Sequence, residues 1–264
     1  MKRSALLLLC LALPGAGARA QDFAGPAPPL GDRAPLAFLE HGLPPAERTW
    51  GAAALAIRWH GLPELVTRSV GLGAGWRSTR FALGMSQTGV AELGWSALGI
   101  GLGAASRRMG AGLRACARAA LSAPAALPAS GRAGLEVGVG GWTAPSERFR
   151  LWASAPQAFM HGAPPPLERW LEIGASARIG EGRLWLARAL VPFGARGAST
   201  EHAAGMAMTL GAGTLWAELR DHPVRGRVGI EARAGIMGVA AAVESHPVLD
   251  ETVRLRLLLG GSDP

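Results

Sequence analysis

The residues that could do chemistry in this chain are few and far apart. Six histidines (His41, His60, His161, His202, His222, His246) stand without the close pairs that zinc sites use. Asp221-His222 has the acid–histidine form found in some outer-membrane proteases, but His222 precedes a proline and no second acidic pair accompanies it. No G-x-S-x-G elbow occurs, which removes the support for a serine hydrolase of that design. Gly71-Leu72-Gly73-Ala74-Gly75 and Gly99-Ile100-Gly101-Leu102-Gly103 have the look of nucleotide loops, yet Trp76 occupies the third-glycine place of the first and neither leads into a helix. Glycines spaced by two line one face of a strand and leave room for tight curvature or for a neighbouring segment. The expectation is therefore a non-enzyme with no catalytic, cofactor or metal residues.

What the chain has in quantity is charge on alternate positions. Leu171, Ile173, Ala175, Ala177 and Ile179 alternate with Glu172, Gly174, Ser176 and Arg178. The same two-residue period sets Val228, Ile230, Ala232 and Ala234 against Arg227, Gly229, Glu231 and Arg233, and Val253, Leu255, Leu257 and Leu259 against Arg254 and Arg256. Leu135, Val137 and Val139 oppose Glu136, and Met109, Ala111, Leu113 and Ala115 oppose Arg108 and Arg114. One apolar and one charged row per strand suits a wall between lipid and water. The residues expected to line a lumen are Arg108, Arg114, Glu136, Arg150, Glu172, Arg178, Glu231, Arg233, Arg254 and Arg256. If water fills that space, the arginine surplus favours anions. The other reading is a closed interior in which arginines and glutamates pair. Pro156 interrupts a regular strand and marks a bulge or a side opening, the bulge being preferred.

Strands of about ten residues are predicted at 49–60, 65–75, 78–86, 92–104, 107–118, 131–143, 147–159, 168–179, 183–191, 201–210, 213–220, 226–236, 239–245 and 251–259. The fold expected is all-β: a single closed antiparallel transmembrane β-barrel of about 14 strands, with 12 as the alternative. Connections alternate between brief turns such as Trp76-Arg77 and longer, often proline-bearing loops such as 119–130 and 160–167. This predicts short periplasmic turns and longer outer loops. Trp50, Trp59, Trp76, Trp95, Trp142 and Trp170 fall near strand ends, as an interfacial girdle requires, whereas Trp152, Trp185 and Trp216 lie further in. Arg188 falls in the apolar row of Leu184, Leu186 and Leu190, so it must snorkel at a rim or the strand must carry a bulge.

Met1–Ala20 reads as an export signal: Lys2 and Arg3, an apolar stretch Ala5–Leu13, and Ala18-Arg19-Ala20 before a cleavage site. Its loss removes Lys2, Arg3 and Arg19, taking the net charge from +8 to +5, and leaves Cys116 as the only cysteine. That excludes an internal disulfide. Apart from Lys2 every lysine or arginine position is arginine, and asparagine and tyrosine are absent, a bias that reads as GC-rich coding and gives no case for nucleic acid. After the signal, no apolar run reaches the roughly 18 residues of a membrane helix. Residues 21–48 are proline-rich and lack strand rhythm. They read first as an extended tail, and second as a plug in the barrel mouth anchored by Phe38 and Leu39.

A proline-rich lead and about fourteen strands, with Trp59-His60-Gly61-Leu62-Pro63 closing the first and entering its loop, resemble the FadL-type superfamily, including its PorV/PorQ-like branch. The resemblance is architectural and spans most of the chain beyond residue 20. It implies passage of hydrophobic compounds for the first group, and protein secretion and surface attachment for the second. The Asn-Pro-Ala segment of many PorV-like proteins is missing, since the chain has no asparagine. No ligand residue carries over. The function expected is passage of small solutes, anionic or hydrophobic, across the outer membrane of a Gram-negative-type cell. The alternative is a non-transporting scaffold or secretion accessory with a filled lumen, and a third reading is a soluble periplasmic β protein. The partners expected are outer-membrane lipid, a small solute, and a secreted or envelope protein.

Overall fold

The computed structural model describes residues 35–46, 49–62, 65–90, 93–122, 133–162, 169–180, 182–193, 200–221, 224–245 and 250–262. After a short helix α1 (Pro35–His41), the chain runs through fourteen strands: β1 (Thr49–Arg58), β2 (Val66–Trp76), β3 (Thr79–Val90), β4 (Leu93–Ala105), β5 (Met109–Ser122), β6 (Ala133–Ser146) and β7 (Phe149–His161) form the first half. The second half comprises β8 (Arg169–Ile179), β9 (Gly182–Phe193), β10 (Glu201–Leu210), β11 (Gly213–Arg220), β12 (Arg225–Ala234), β13 (Met237–Glu244) and β14 (Thr252–Ser262). Each strand pairs antiparallel with its sequence neighbours, and β1 also pairs with β14 from Thr49↔Ser262 to Arg58↔Val253. The sheet is therefore a closed barrel with no free edge.

Closure leaves two faces, and the period-2 pattern decides which side chain meets which. The outward row on β2 is Arg68, Val70, Leu72, Ala74 and Trp76; on β14 it is Val253, Leu255, Leu257 and Leu259. Leu72, Leu98, Leu113, Met206, Leu219 and Leu257 are all more than half exposed. Such a continuous apolar belt is far larger than the patch a water-soluble monomer tolerates. The opposite row buries charge: Glu136, Glu172, Glu201, Glu218, Arg227, Arg254 and Arg256 all point into the barrel and are almost wholly buried. No helix among the described residues is long and apolar enough to cross a membrane.

At one rim the strands are joined by turns of two or three residues, Arg77-Ser78, Gly211-Ala212 and Gly235-Ile236 among them. Gly180, Gly211 and Gly235 have φ of +58°, the left-handed geometry a tight hairpin needs and glycine adopts without strain. The other rim carries the longer connections, apart from the two residues between β3 and β4.

The ladder is broken in three places that matter later. Between Val137↔Phe159 and Val139↔Ala155 the register with β6 slips, so Gly138 faces the three residues Pro156–Ala158 of β7. Between Ala175↔Ala187 and Ser176↔Trp185 it slips by one on β9, which sets Arg188 opposite Gly174 on β8 and Ala203 on β10. A bulge thus accompanies the residue that broke the apolar row, although the β9 side chains themselves lie outside the described residues. Third, β7 and β8 pair only from Phe149↔Ala177 to Ser154↔Glu172.

Candidate functional site

The interior is built from two halves. Inward positions on β2 to β6 are mostly glycine and alanine: Gly71, Gly73, Ala82, Gly84, Ala97, Gly99, Gly101, Gly103, Gly110, Gly112, Gly138 and Gly140. The segment Pro35–Ala46 lies in the trough they leave, with Leu36, Phe38 and Leu39 fully buried against Leu55, Ile57, Ala82 and Cys116. Over these residues the chain packs inside the barrel, where a plug would sit, rather than extending from it. The glycines are the physical reason. A Cβ on Gly71 would meet Leu36 Cδ2 at 2.7 Å, one on Gly84 would meet Leu39 Cδ1 at 2.6 Å, and one on Gly112 would meet Phe38 Cε2 at 2.7 Å. Residues 21–34, 47 and 48 lie outside the described residues.

Polar contacts fix the segment further. Trp142 Nε1 donates to the Pro44 carbonyl at 2.8 Å, and Arg80 donates to the carbonyls of Pro45 and Ala46, each at 3.0 Å. Ser154 Oγ donates to the His41 carbonyl, and Arg114 Nη1 reaches the Glu40 carbonyl at 3.4 Å. His41 Nδ1 lies 3.3 Å from Glu172 Oε2, whose other oxygen accepts from Trp152 Nε1 at 3.1 Å. The end of α1 is thereby tied to β7 and β8, where the ladder between those strands gives out.

The other half, on β10 to β14, is an ion-pair ladder. Arg220 bridges Glu201 (3.2 Å) and Glu218 (2.7 Å), and Arg225 bridges Glu201 (2.8 Å) and Glu244 (3.4 Å). Glu244 also binds Arg227 (2.6 Å) and Arg254 (2.9 Å). Nearer the short-turn rim, Glu231 holds Arg256 at 2.6 Å and Arg233 at 2.7 Å. On β5 and β6, Glu136 sits between Arg114 (3.4 Å) and Arg118 (2.9 Å). Arg254 is 4 % exposed and Arg256 2 %, values that water in an open pore would raise. Charges so buried hold their place by pairing. The described interior matches the closed alternative, and the expected attraction for anions loses its basis, because most of the surplus arginines share a carboxylate.

Three of the inward tryptophans pack on glycine. Trp142, Trp152 and Trp216 are inward and buried, each lying over the glycine directly across the ladder: Gly110, Gly174 and Gly229. An indole laid on a glycine backbone replaces the packing that the glycine lacks. The girdle expectation therefore fails for Trp142 and Trp170, both inward and buried, and holds for Trp50 and Trp76, which are exposed on the outward face at the short-turn rim. Trp59 is half-buried and donates to Thr67 Oγ1 at 2.8 Å.

Of the residues expected to line the lumen, Arg114, Glu136, Glu172, Arg254 and Arg256 are buried inside, and Glu231 and Arg233 point inward nearer the mouth. Arg150 is half-buried and stacks on the Trp142 ring at 4.7 Å. Arg108 is a correction: it ends the Ser106–Arg108 turn, exposed, with its carbonyl accepting from Ala144, because β5 begins one residue later. Arg178 has inward parity but is exposed, since β8 ends at the rim beside it. Sequence reasoning offered Phe38 and Leu39 as anchors in its second reading of the leading segment, but passed over Glu201, Glu244 and Arg220 as site residues and missed the polar contacts of Glu40, His41, Pro44 and Pro45. Glu201, Glu244 and Arg220 stand at strand ends, where two-residue alternation is weakest. Asp221 does bind a histidine, but it is His202 (Nδ1–Oδ2 2.7 Å), exposed at the long-loop rim; His222 lies outside the described residues. No cluster of metal-ligating side chains occurs among the described residues.

The class that this fold and interior define is a plugged, closed antiparallel barrel with an apolar exterior. No protein-family model matches the chain, and no curated protein matches it. Among solved structures it is similar to a mutant of the porin of Rh. blastica, at 10% identity and a TM-score of 0.46, covering 81% of this chain and 99% of that one. It is also similar to a TodX deltaS2S3 mutant, a monoaromatic hydrocarbon channel, at 10% identity and a TM-score of 0.48, covering 81% and 88%.

Proposed function

We propose that the chain is an outer-membrane barrel that passes small hydrophobic solutes, closed along its axis and opening sideways between β7 and β8. One observation carries this reading. Leu171 and Trp170 pair with β9 and have no β7 partner, while Ala155 and Phe159–His161 pair with β6 alone. The bulge at Pro156 turns its carbonyl inward to Arg114 Nη1 at 3.0 Å, so it cannot serve the ladder. Gln157 is buried beside it, and its Oε1 has no hydrogen-bond partner among the described residues. The end of α1 sits at the inner side of this seam through Ser154, Glu172 and the edge of the Trp170 ring, 6.2 Å from His41. A seam with no ladder beyond Ser154, with lipid outside and the end of α1 inside, is a route for a solute that prefers hydrocarbon. The buried, largely paired ladder on β10 to β14 offers an ion no comparable route.

The test is to delete Gln157 and Ala158. That evens the register with β6 and lets β7 continue along β8 beyond Ser154. In vesicles, uptake of a small fluorescent aromatic hydrocarbon should drop to the protein-free rate while heat-modifiable gel mobility is kept. Undiminished uptake by the folded variant refutes the seam route. A barrel that moves no hydrocarbon even as wild type supports the scaffold reading, which the filled interior favours.

A further inference from the structure

Among the residues whose side chains are described, the outward face of the barrel strands carries two arginines, Arg58 on β1 and Arg68 on β2, both exposed. They are neighbours: Arg68 is registered with Ala56, two residues before Arg58, and Arg58 with Val66, two before Arg68. Gln87 lies across the ladder from Arg68 and is also exposed, with Ser96 next in the same row. Neither arginine makes a hydrogen bond or ion pair among the described residues. Everything below them on these strands is apolar or small: Ala52, Ala54 and Ala56 on β1, and Val70, Leu72 and Ala74 on β2.

Their height gives the pair a meaning. Arg58 follows Trp50 by eight residues, and Arg68 precedes Trp76 by eight; both tryptophans are outward and exposed at the short-turn rim. At about 3.3 Å per residue and a tilt of about 40°, eight residues rise roughly 20 Å along the barrel axis. The apolar band is about 25 Å tall, so with the tryptophans at one interface the guanidinium groups reach the headgroups of the other. Short turns face the periplasm in such barrels, so that interface belongs to the outer leaflet. An arginine at the midplane would be strongly unfavourable; here both side chains extend into a layer of lipid phosphates.

We propose that Arg58 and Arg68, with Gln87 beside them, bind the phosphate of a phosphorylated outer-leaflet glycolipid. Two guanidinium forks on adjacent strands match a phosphate through charge-assisted, bidentate hydrogen bonds. The carboxamide and hydroxyl of the same row suit sugar hydroxyls. The site stands on the wall formed by β1 to β3, behind which Leu36 rests on Gly71 and Leu39 on Gly84, so lipid held here also braces the face that carries the plug. The proposal rests on the reading that the outer face meets lipid.

Full-length barrel purified in detergent would be titrated with bis-phosphorylated lipid A and with the same lipid enzymatically dephosphorylated, and the adducts counted by native mass spectrometry. The wild type should retain the phosphorylated lipid and release the other. Arg58→Gln and Arg68→Gln should each weaken retention on the order of tenfold, since a hydrogen bond to a charged group is lost. Equal retention of both lipids by the wild type, or unchanged retention in a folded double variant, overturns the proposal. The wild-type comparison stands even if a variant fails to fold. Inorganic phosphate at millimolar concentration should leave the adduct in place; full displacement by it overturns the assignment to lipid. A chain that gives no heat-modifiable band and leaves membranes with the soluble fraction sinks the membrane reading instead, and the two failures are told apart on one gel.

Discussion

Phe38→Ala is the sharpest perturbation of the plug. The Phe38 ring is 2 % exposed and lies over Gly101 and Gly112, where an added Cβ would meet its atoms at 3.3 and 2.7 Å. Nothing else among the described residues is placed to fill that trough, so truncation should leave a cavity. Loss of a buried Phe costs about 3–5 kcal/mol in a protein core. The plug can yield without the barrel unfolding, so the lower end of that range is the better figure. About 3 kcal/mol multiplies the population with the plug displaced by roughly a hundred, at about 1.4 kcal/mol per tenfold. The chain carries its own reporter: Cys116 is 1 % exposed in the same cluster, is in no disulfide, and is the only cysteine beyond residue 20. Its rate of reaction with a small maleimide under non-denaturing conditions measures how often the plug leaves. The variant should label about a hundredfold faster at an unchanged barrel melting temperature, as that population ratio requires. Leu135→Ala on the outward face should label like wild type. An unchanged rate in Phe38→Ala would refute the claim that the helix shields this thiol by packing on glycine.

Glu244→Gln should be among the most damaging single changes, because it leaves Arg227 and Arg254 buried with their shared carboxylate neutralised; a loss of about 3–5 kcal/mol is expected, read from the urea midpoint of heat-modifiable mobility. Gly174→Ala should cost about 1–3 kcal/mol, since the Trp152 indole occupies the place of the new methyl. Trp152→Ala/Gly174→Ala should then cost less than the two single changes added together, and strict additivity would show that the indole and the glycine do not share one space.

Much of the wall was legible from the chain alone. Alternation such as Leu255-Arg256-Leu257 specifies a strand with two unlike faces whatever it pairs with, and two-residue turns on one rim force antiparallel neighbours. The interior was harder to read. Glu244 ends its strand and Glu201 begins its own, where one residue of slip reverses the face, and only the register with β12 for the first and the ion pairs to Arg220 and Arg225 for the second show them inside. Tryptophan position along a strand told height but not face, so Trp142 and Trp170 read as girdle residues although they point inward. Arg58 passed unnoticed because an arginine at a strand end is unremarkable until its face is known.

Strand period, turn length and the separation of apolar from charged rows were set by the sequence, since backbone geometry alone converts every second residue into one face of a pleated sheet. Closure of β1 on β14, the docking of Pro35–Ala46 on a floor of glycines, and the early end of the β7–β8 ladder at Ser154↔Glu172 belong to tertiary structure. Each depends on which distant segments meet, and the local pattern of a strand carries no record of its partner. A glycine row announces that something can come close. Only the packed barrel decides that the visitor is the chain's own leading segment.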